Sequence, residues 1–133
     1  MMIKRYLASV ILFSCFMGIQ DTAFSGSDNT MAAGERIYTR CSGCHTFAYH
    51  RTGPKHCGLL GRRAGSATGF EYSKAMKGSG IIWTKKSLDQ FLKAPLEFMS
   101  GTSMGYSGMD SDIERTQLIA FLTTLTENNP LCR

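Results

Sequence analysis

The chain has 133 residues, enough for one domain and hardly two. At 43% hydrophobic and 19% charged it has ordinary globular composition, which excludes a largely disordered chain. No apolar run reaches the roughly 18 residues of a spanning helix, which excludes a multi-pass membrane protein. Fifteen basic against ten acidic residues is a mild excess rather than a nucleic-acid-binding density, so no nucleic acid is expected as a partner.

Lys4 and Arg5 precede an apolar stretch, Tyr6 to Ile19, broken only by Ser9, Ser14 and Gly18. A small-residue exit follows at Ala23-Phe24-Ser25. This pattern predicts a secretory signal over residues 1–25, cleaved before Gly26, and an exported, periplasmic domain over residues 26–133. The competing readings are a buried N-terminal helix, a membrane anchor if the segment is retained, and a lipoprotein site at Cys15. Removing residues 1–25 takes Lys4, Arg5 and Asp21, leaving 13 basic and 9 acidic residues. Cys15 leaves as well, so four cysteines enter a compartment that permits disulfides.

Met31, Gly34, Ile37 and Tyr38 have helical spacing, so a helix is expected from Met31 to Thr39 after a polar lead-in at 26–30. Between Thr46 and Gly80 glycines recur without an apolar period, which reads as loops with one short helix near Tyr72 to Lys77. Thr84 is a cap for a helix that buries Leu88, Phe91 and Leu92 and is stopped by Pro95. Gly101 to Gly108 reads as a loop. Ser111-x-x-Glu114 is a capping-box pattern, ahead of a helix that places Leu118, Phe121, Leu122 and Leu125 on one face and runs out at Asn128-Asn129-Pro130. No strand or repeat is evident. The class is all-α, with about three to five helices and long loops.

Cys41-Ser42-Gly43-Cys44-His45 is a C-x-x-C-H pattern at the end of the first expected helix. Two thiols three residues apart on one helical turn can each form a thioether to one haem, and the adjacent histidine then supplies the iron's proximal nitrogen. Zinc would need a second Cys/His pair at metal spacing, and a thioredoxin-type motif would need a βαβ context. A haem-ligating histidine normally donates its other ring N–H to an acceptor, and the loop at Gly53-Pro54 offers a backbone carbonyl for it. For the second axial position, residue chemistry leaves Met31, Met76, Met99, Met104, Met109, His50 and His56 open.

The residues Gly53-Pro54, Gly58-Leu59-Leu60-Gly61-Arg62, Gly69-Phe70-Glu71-Tyr72, Gly80-Ile81-Ile82-Trp83, Gly101-Thr102-Ser103-Met104 and Glu114-Arg115 with Leu118 to Leu122 resemble class I c-type cytochromes. Mitochondrial cytochrome c and its soluble bacterial relatives are of this kind. With Gly34, Tyr38 and C-x-x-C-H the resemblance spans nearly all of residues 26–133. It implies one covalent haem c on Cys41 and Cys44, with His45 and Met104 as iron ligands. It implies that Arg62, Tyr72, Ser73, Trp83 and Thr102 lie near the haem propionates. It also implies that Gly34, Tyr38, Leu118 and Phe121 form the crossing of the first and last helices. The function implied is that of a monomeric one-electron carrier between redox protein partners, not an enzyme. The alternative is a haem enzyme or gas-binding sensor with a labile distal ligand.

Several positions depart from the family. Phe91 stands where a tyrosine hydroxyl usually meets the methionine sulfur, and Met76 stands where a polar amide is common. His56 replaces an apolar residue and is expected to be packed or solvated; His50 is expected in solvent. Leu96, Glu97, Ser103, Asp110 and Ser111 thin the usual lysine ring around the haem edge, leaving Arg40, Arg51 and Lys93 as positive charges there. Cys57 and Cys132 remain after the haem takes two thiols, and an even remainder in an exported chain invites one disulfide between them.

Overall fold

Gly34 decides how the two long helices meet. In the computed structural model, which describes residues 26–133, α1 (Gly26–Tyr38) crosses α5 (Asp112–Thr124) at this glycine. A Cβ on Gly34 would stand 2.1 Å from the Gln117 carbonyl oxygen and 2.7 Å from Phe121 Cβ, so only a bare backbone permits this approach. Tyr38, Phe47 and Phe121 close the crossing as an aromatic cluster with centroid spacings of 4.7 to 5.9 Å. The helix starts earlier than its apolar pattern: residues 26–30 are already helical, and Met31 lies on the exposed side.

The remaining helices are short: α2 (Lys74–Gly78), α3 (Lys85–Lys93) and α4 (Pro95–Phe98), followed by a 3-10 turn at Pro130–Cys132. The Ser73 hydroxyl caps α2 by accepting the Met76 N–H. Thr84 caps α3 reciprocally with Ser87, and Leu88, Phe91 and Leu92 are buried against α5, as the spacing predicts. Pro95 does stop α3, and it also opens α4, because the first helical position needs no N–H.

Ser111 accepts the Glu114 N–H at the start of α5, but the reciprocal arm of the expected box is missing. The Glu114 carboxylate instead takes both guanidinium nitrogens of Arg40, at 2.7 and 2.8 Å. The helix ends at Thr124, before Asn128, with Leu118, Ile119, Phe121 and Leu122 buried. Arg115 is buried beside them. It donates to Asp89 Oδ1 at 2.7 Å, to the carbonyls of Met109 and Asp110 at 2.7 and 2.9 Å, and to the Asp112 carboxylate. The segment 109–112 is thereby fastened to α3.

The long loops are fixed by backbone bonds rather than by sheet. Among the described residues there is no strand, only one antiparallel bridge, Arg63 with Ile82. Gly58 N–H donates to Leu125 O at 2.8 Å, beside a disulfide between Cys57 and Cys132 whose Cα atoms are 5.7 Å apart. The tail is therefore tied to the loop as the cysteine count invites. His50 is half-buried rather than solvated: its Nε2 donates to Thr68 O at 2.9 Å while its Nδ1 accepts the Lys55 N–H. The export segment expected over residues 1–25 lies outside the described residues. No described helix is long and apolar enough to cross a membrane.

Candidate cofactor site

The helices and loops enclose a cavity of about 440 Å³, within the range of cofactor sites. Its walls are mainly apolar, with Leu59, Leu88, Phe91, Leu92, Leu118 and Leu122 among them. The buried faces of α3 and α5 thus pack toward a space as well as toward one another.

The C-x-x-C-H segment forms one wall. The chain leaves α1 in tight turns, with Cys41 N–H on Tyr38 O at 2.8 Å and His45 N–H on Cys41 O at 2.9 Å. These turns bring Cys41, Cys44 and His45 to the cavity together. Both cysteines are free thiols, Cys41 half-buried and Cys44 exposed. Burial pushes the Cys41 thiol above its usual range, against the pull of Arg40.

His45 is held ready for a metal. Its Nδ1 donates to Pro54 O at 2.7 Å, so Nε2 keeps its lone pair. Burial lowers the pKa of the imidazole, with the Pro54 carbonyl opposing, and so favours the neutral form that ligates. Gly53 makes room for the ring. His56, half-buried, stacks on it with centroids 4.2 Å apart and planes 20° from parallel.

Of the candidates for the second axial position, Met76, Met104, Met109 and His56 line the cavity. Met99 is buried in the core but does not line the cavity, and Met31 and His50 do not line it either. Met104 sits in the loop after α4, half-buried, with its N–H on Thr102 Oγ1 at 3.3 Å. Gly108, farther along that segment, adopts a φ of +112°, and a Cβ there would meet Lys93 O at 2.2 Å; glycine lets the loop fold against the end of α3.

Arg62, Tyr72, Trp83 and Thr102 also line the cavity; Ser73 does not, its hydroxyl being the α2 cap. Arg62 donates to the carbonyls of Cys57 and Lys55, at 3.0 and 3.1 Å, and makes no salt bridge among the described residues. Burial lowers its pKa, so an anion placed against it would be welcome. The donor set fits a haem: two free thiols, an oriented imidazole, thioethers, apolar walls and one part-buried cation for a carboxylate.

Sequence reasoning did not find two features. One is the contact of His56 with Tyr38 and His45, for which the only signal was a polar residue at a usually apolar position. The other is the steric role of Gly53. Arg40, which also borders the cavity, is paired with Glu114 and so brings less free positive charge to the rim than its type implies, while Arg51 keeps its charge, its Nη1 donating to Ser42 O at 3.0 Å.

No family model matches the chain. It is 39% identical over 100 residues to cytochrome c2 of Afifella marina, covering 71% of this chain and 81% of that protein. It is 40% identical over 92 residues to cytochrome c of Stellaria longipes, covering 67% and 85%. Its fold matches the solved structure of cytochrome cH from Methylobacterium extorquens with a TM-score of 0.69 and 36% identity, over 71% of this chain and 97% of that one. With four-fifths of a cytochrome c2 matched, and helices and loops arranged as in cytochrome cH around a cavity that fits a haem, the chain belongs to the class I c-type cytochromes.

Proposed function

We propose that this monohaem c-type cytochrome carries single electrons between redox proteins in an exported, periplasmic chain, as a monomer, with haem c on Cys41 and Cys44 and iron ligated by His45 and Met104. Family membership makes it an electron carrier rather than an enzyme. The haem, when bound, supplies the one-electron couple. The observation that carries the reading is the Nδ1 bond of His45 to Pro54 O, in a cavity shared with two free thiols.

The chain's own residues do the rest. Pro54 O keeps the proton on Nδ1 and so aims the lone pair of Nε2. Leu59, Leu88, Leu92, Leu118 and Leu122 exclude water. Arg62, Tyr72, Trp83 and Thr102 stand ready for the propionates. Met104 lines the same cavity as His45 and would hold the iron through a soft thioether, which favours the reduced state. Phe91 at 5.1 Å from Trp83 brings no hydroxyl to the cavity, so the Met104 sulfur has no phenolic donor at that position.

A visible and near-infrared spectrum of the purified protein tests this. A low-spin spectrum with a sulfur-to-iron charge-transfer band that Met104→Ala abolishes, and no carbon monoxide shift in the reduced parent, is expected. A high-spin ferric spectrum or prompt carbon monoxide binding overturns the closed six-coordinate carrier.

A further inference from the structure

His56 stands in a chain of contacts that begins at the helix crossing and ends on the proximal imidazole. Tyr38 is buried in that crossing against Phe47 and Phe121. Its hydroxyl lies 3.0 Å from His56 Nδ1, a hydrogen bond, and the two rings meet edge-on at 5.6 Å. His56 in turn stacks on His45 at 4.2 Å. The backbone on either side is fastened too: His56 N–H donates to Thr46 O at 3.1 Å, Cys57 N–H donates to Phe47 O at 2.9 Å, and Cys57 carries the disulfide. A leucine or valine would fill the same space, but neither has a flat face for His45 nor an atom for the Tyr38 hydroxyl.

The function of such an arrangement follows from what His45 leaves unfixed. The bond to Pro54 O restrains one ring nitrogen, yet the ring can still rock about that contact. A parallel ring at stacking distance removes that freedom, provided it is itself prevented from turning, and the Tyr38 hydroxyl supplies that second restraint. We propose that His56, oriented by Tyr38, is a positioning residue that fixes the plane of the His45 imidazole and thereby sets the ligand field and reduction potential of the iron.

This rests on the reading of His45 as the iron ligand. Ring-plane orientation governs how the imidazole π orbitals overlap the iron orbitals, which electron paramagnetic resonance of the oxidised protein reports as its g-values. The polar ring also stabilises the more positive, oxidised centre relative to an apolar side chain, so losing it raises the potential.

The experiment uses the haem-loaded protein and the variants His56→Leu, Tyr38→Phe and the double variant. The parent is measured first: absence of a low-spin spectrum with histidine ligation removes the basis of the proposal together with the ligand reading. With that spectrum in hand, His56→Leu is expected to keep both axial ligands, shift the g-values, and change the oxidised-to-reduced ratio at fixed ambient potential threefold or more. That is about 28 mV upward, at 59 mV per tenfold for one electron. Tyr38→Phe is expected to shift the g-values in the same direction by less. The double variant should match His56→Leu, because Tyr38 acts through His56. Unchanged g-values and potential with a lower melting temperature alone overturn the proposal and leave His56 as packing. If His56→Leu does not fold, Tyr38→Phe decides: parental g-values and potential there overturn it.

Discussion

Gly53 presents bare backbone to the His45 ring: a Cβ on it would stand 2.4 Å from Cε1 and 2.7 Å from both ring nitrogens. The next residue, Pro54, supplies the carbonyl that holds Nδ1. One dipeptide therefore both makes room for the proximal imidazole and orients it. Gly53→Ala forces one of these to give. It is expected to destabilise the protein by about 1–3 kcal/mol, the usual range for overpacking. It should also disturb the haem spectrum, because the ring that must move is the proposed ligand. Denaturant unfolding paired with the oxidised spectrum checks both; a parental spectrum would separate Gly53 from the imidazole.

At the helix crossing the obstruction is a peptide carbonyl, which cannot swing aside as a side chain can. Gly34→Ala is expected to cost about 3 kcal/mol, the upper part of the overpacking range, by pushing α1 from α5. Thermal melting followed by far-ultraviolet circular dichroism measures it. Gly26→Ala, where a Cβ meets nothing within 4 Å, is the control and should melt as the parent does.

The disulfide joins residues 75 apart and so restrains most of residues 57–132 in the unfolded chain. Replacing Cys57 and Cys132 together by serine is expected to lower stability by about 2–4 kcal/mol. Guanidinium unfolding of the parent with reductant should reproduce that loss. A reductant-insensitive parent would mean the bond does not form in solution.

Arg40 holds the Glu114 carboxyl below its usual range chiefly through their hydrogen bonds, with desolvation opposing and the charge of Arg40 adding to the shift. A carboxyl whose folded pKa is depressed contributes stability above its unfolded value, about 4.3, and that contribution is lost as pH falls through the folded value. Arg40→Ala should therefore lower the melting temperature slightly at about pH 7, and by progressively less as the pH falls below the unfolded value. Because both groups are partly exposed, the difference at neutral pH should also shrink in 1 M salt.

The parts of this fold that were legible in the chain are those written in neighbouring residues. Thr84 caps α3 within one turn, and Leu88, Phe91 and Leu92 recur at helical spacing, so both are legible locally; the reciprocal bond from Ser87 is not. Cys41, Cys44 and His45 reach one wall because a single tight turn carries all three. Local reasoning failed where a distant partner intervened. Glu114 leaves its own cap because Arg40 lies across the helix crossing. His50 is taken from solvent by Thr68. Pro95 is locally legible as a stop, and the structure makes it a start as well.

The sequence by itself determined the family to which the chain belongs, because the spacing of Cys41, Cys44 and His45 and the turn-forming glycines are encoded over short distances. The tertiary structure decided which methionines border the cavity, that His56 lies against His45, that Gly53 must have no side chain, and that Arg40 is spent on Glu114. Each of these depends on two segments meeting at hydrogen-bond or van der Waals distance, and no local pattern specifies such a meeting until the helices have crossed and the loops have closed.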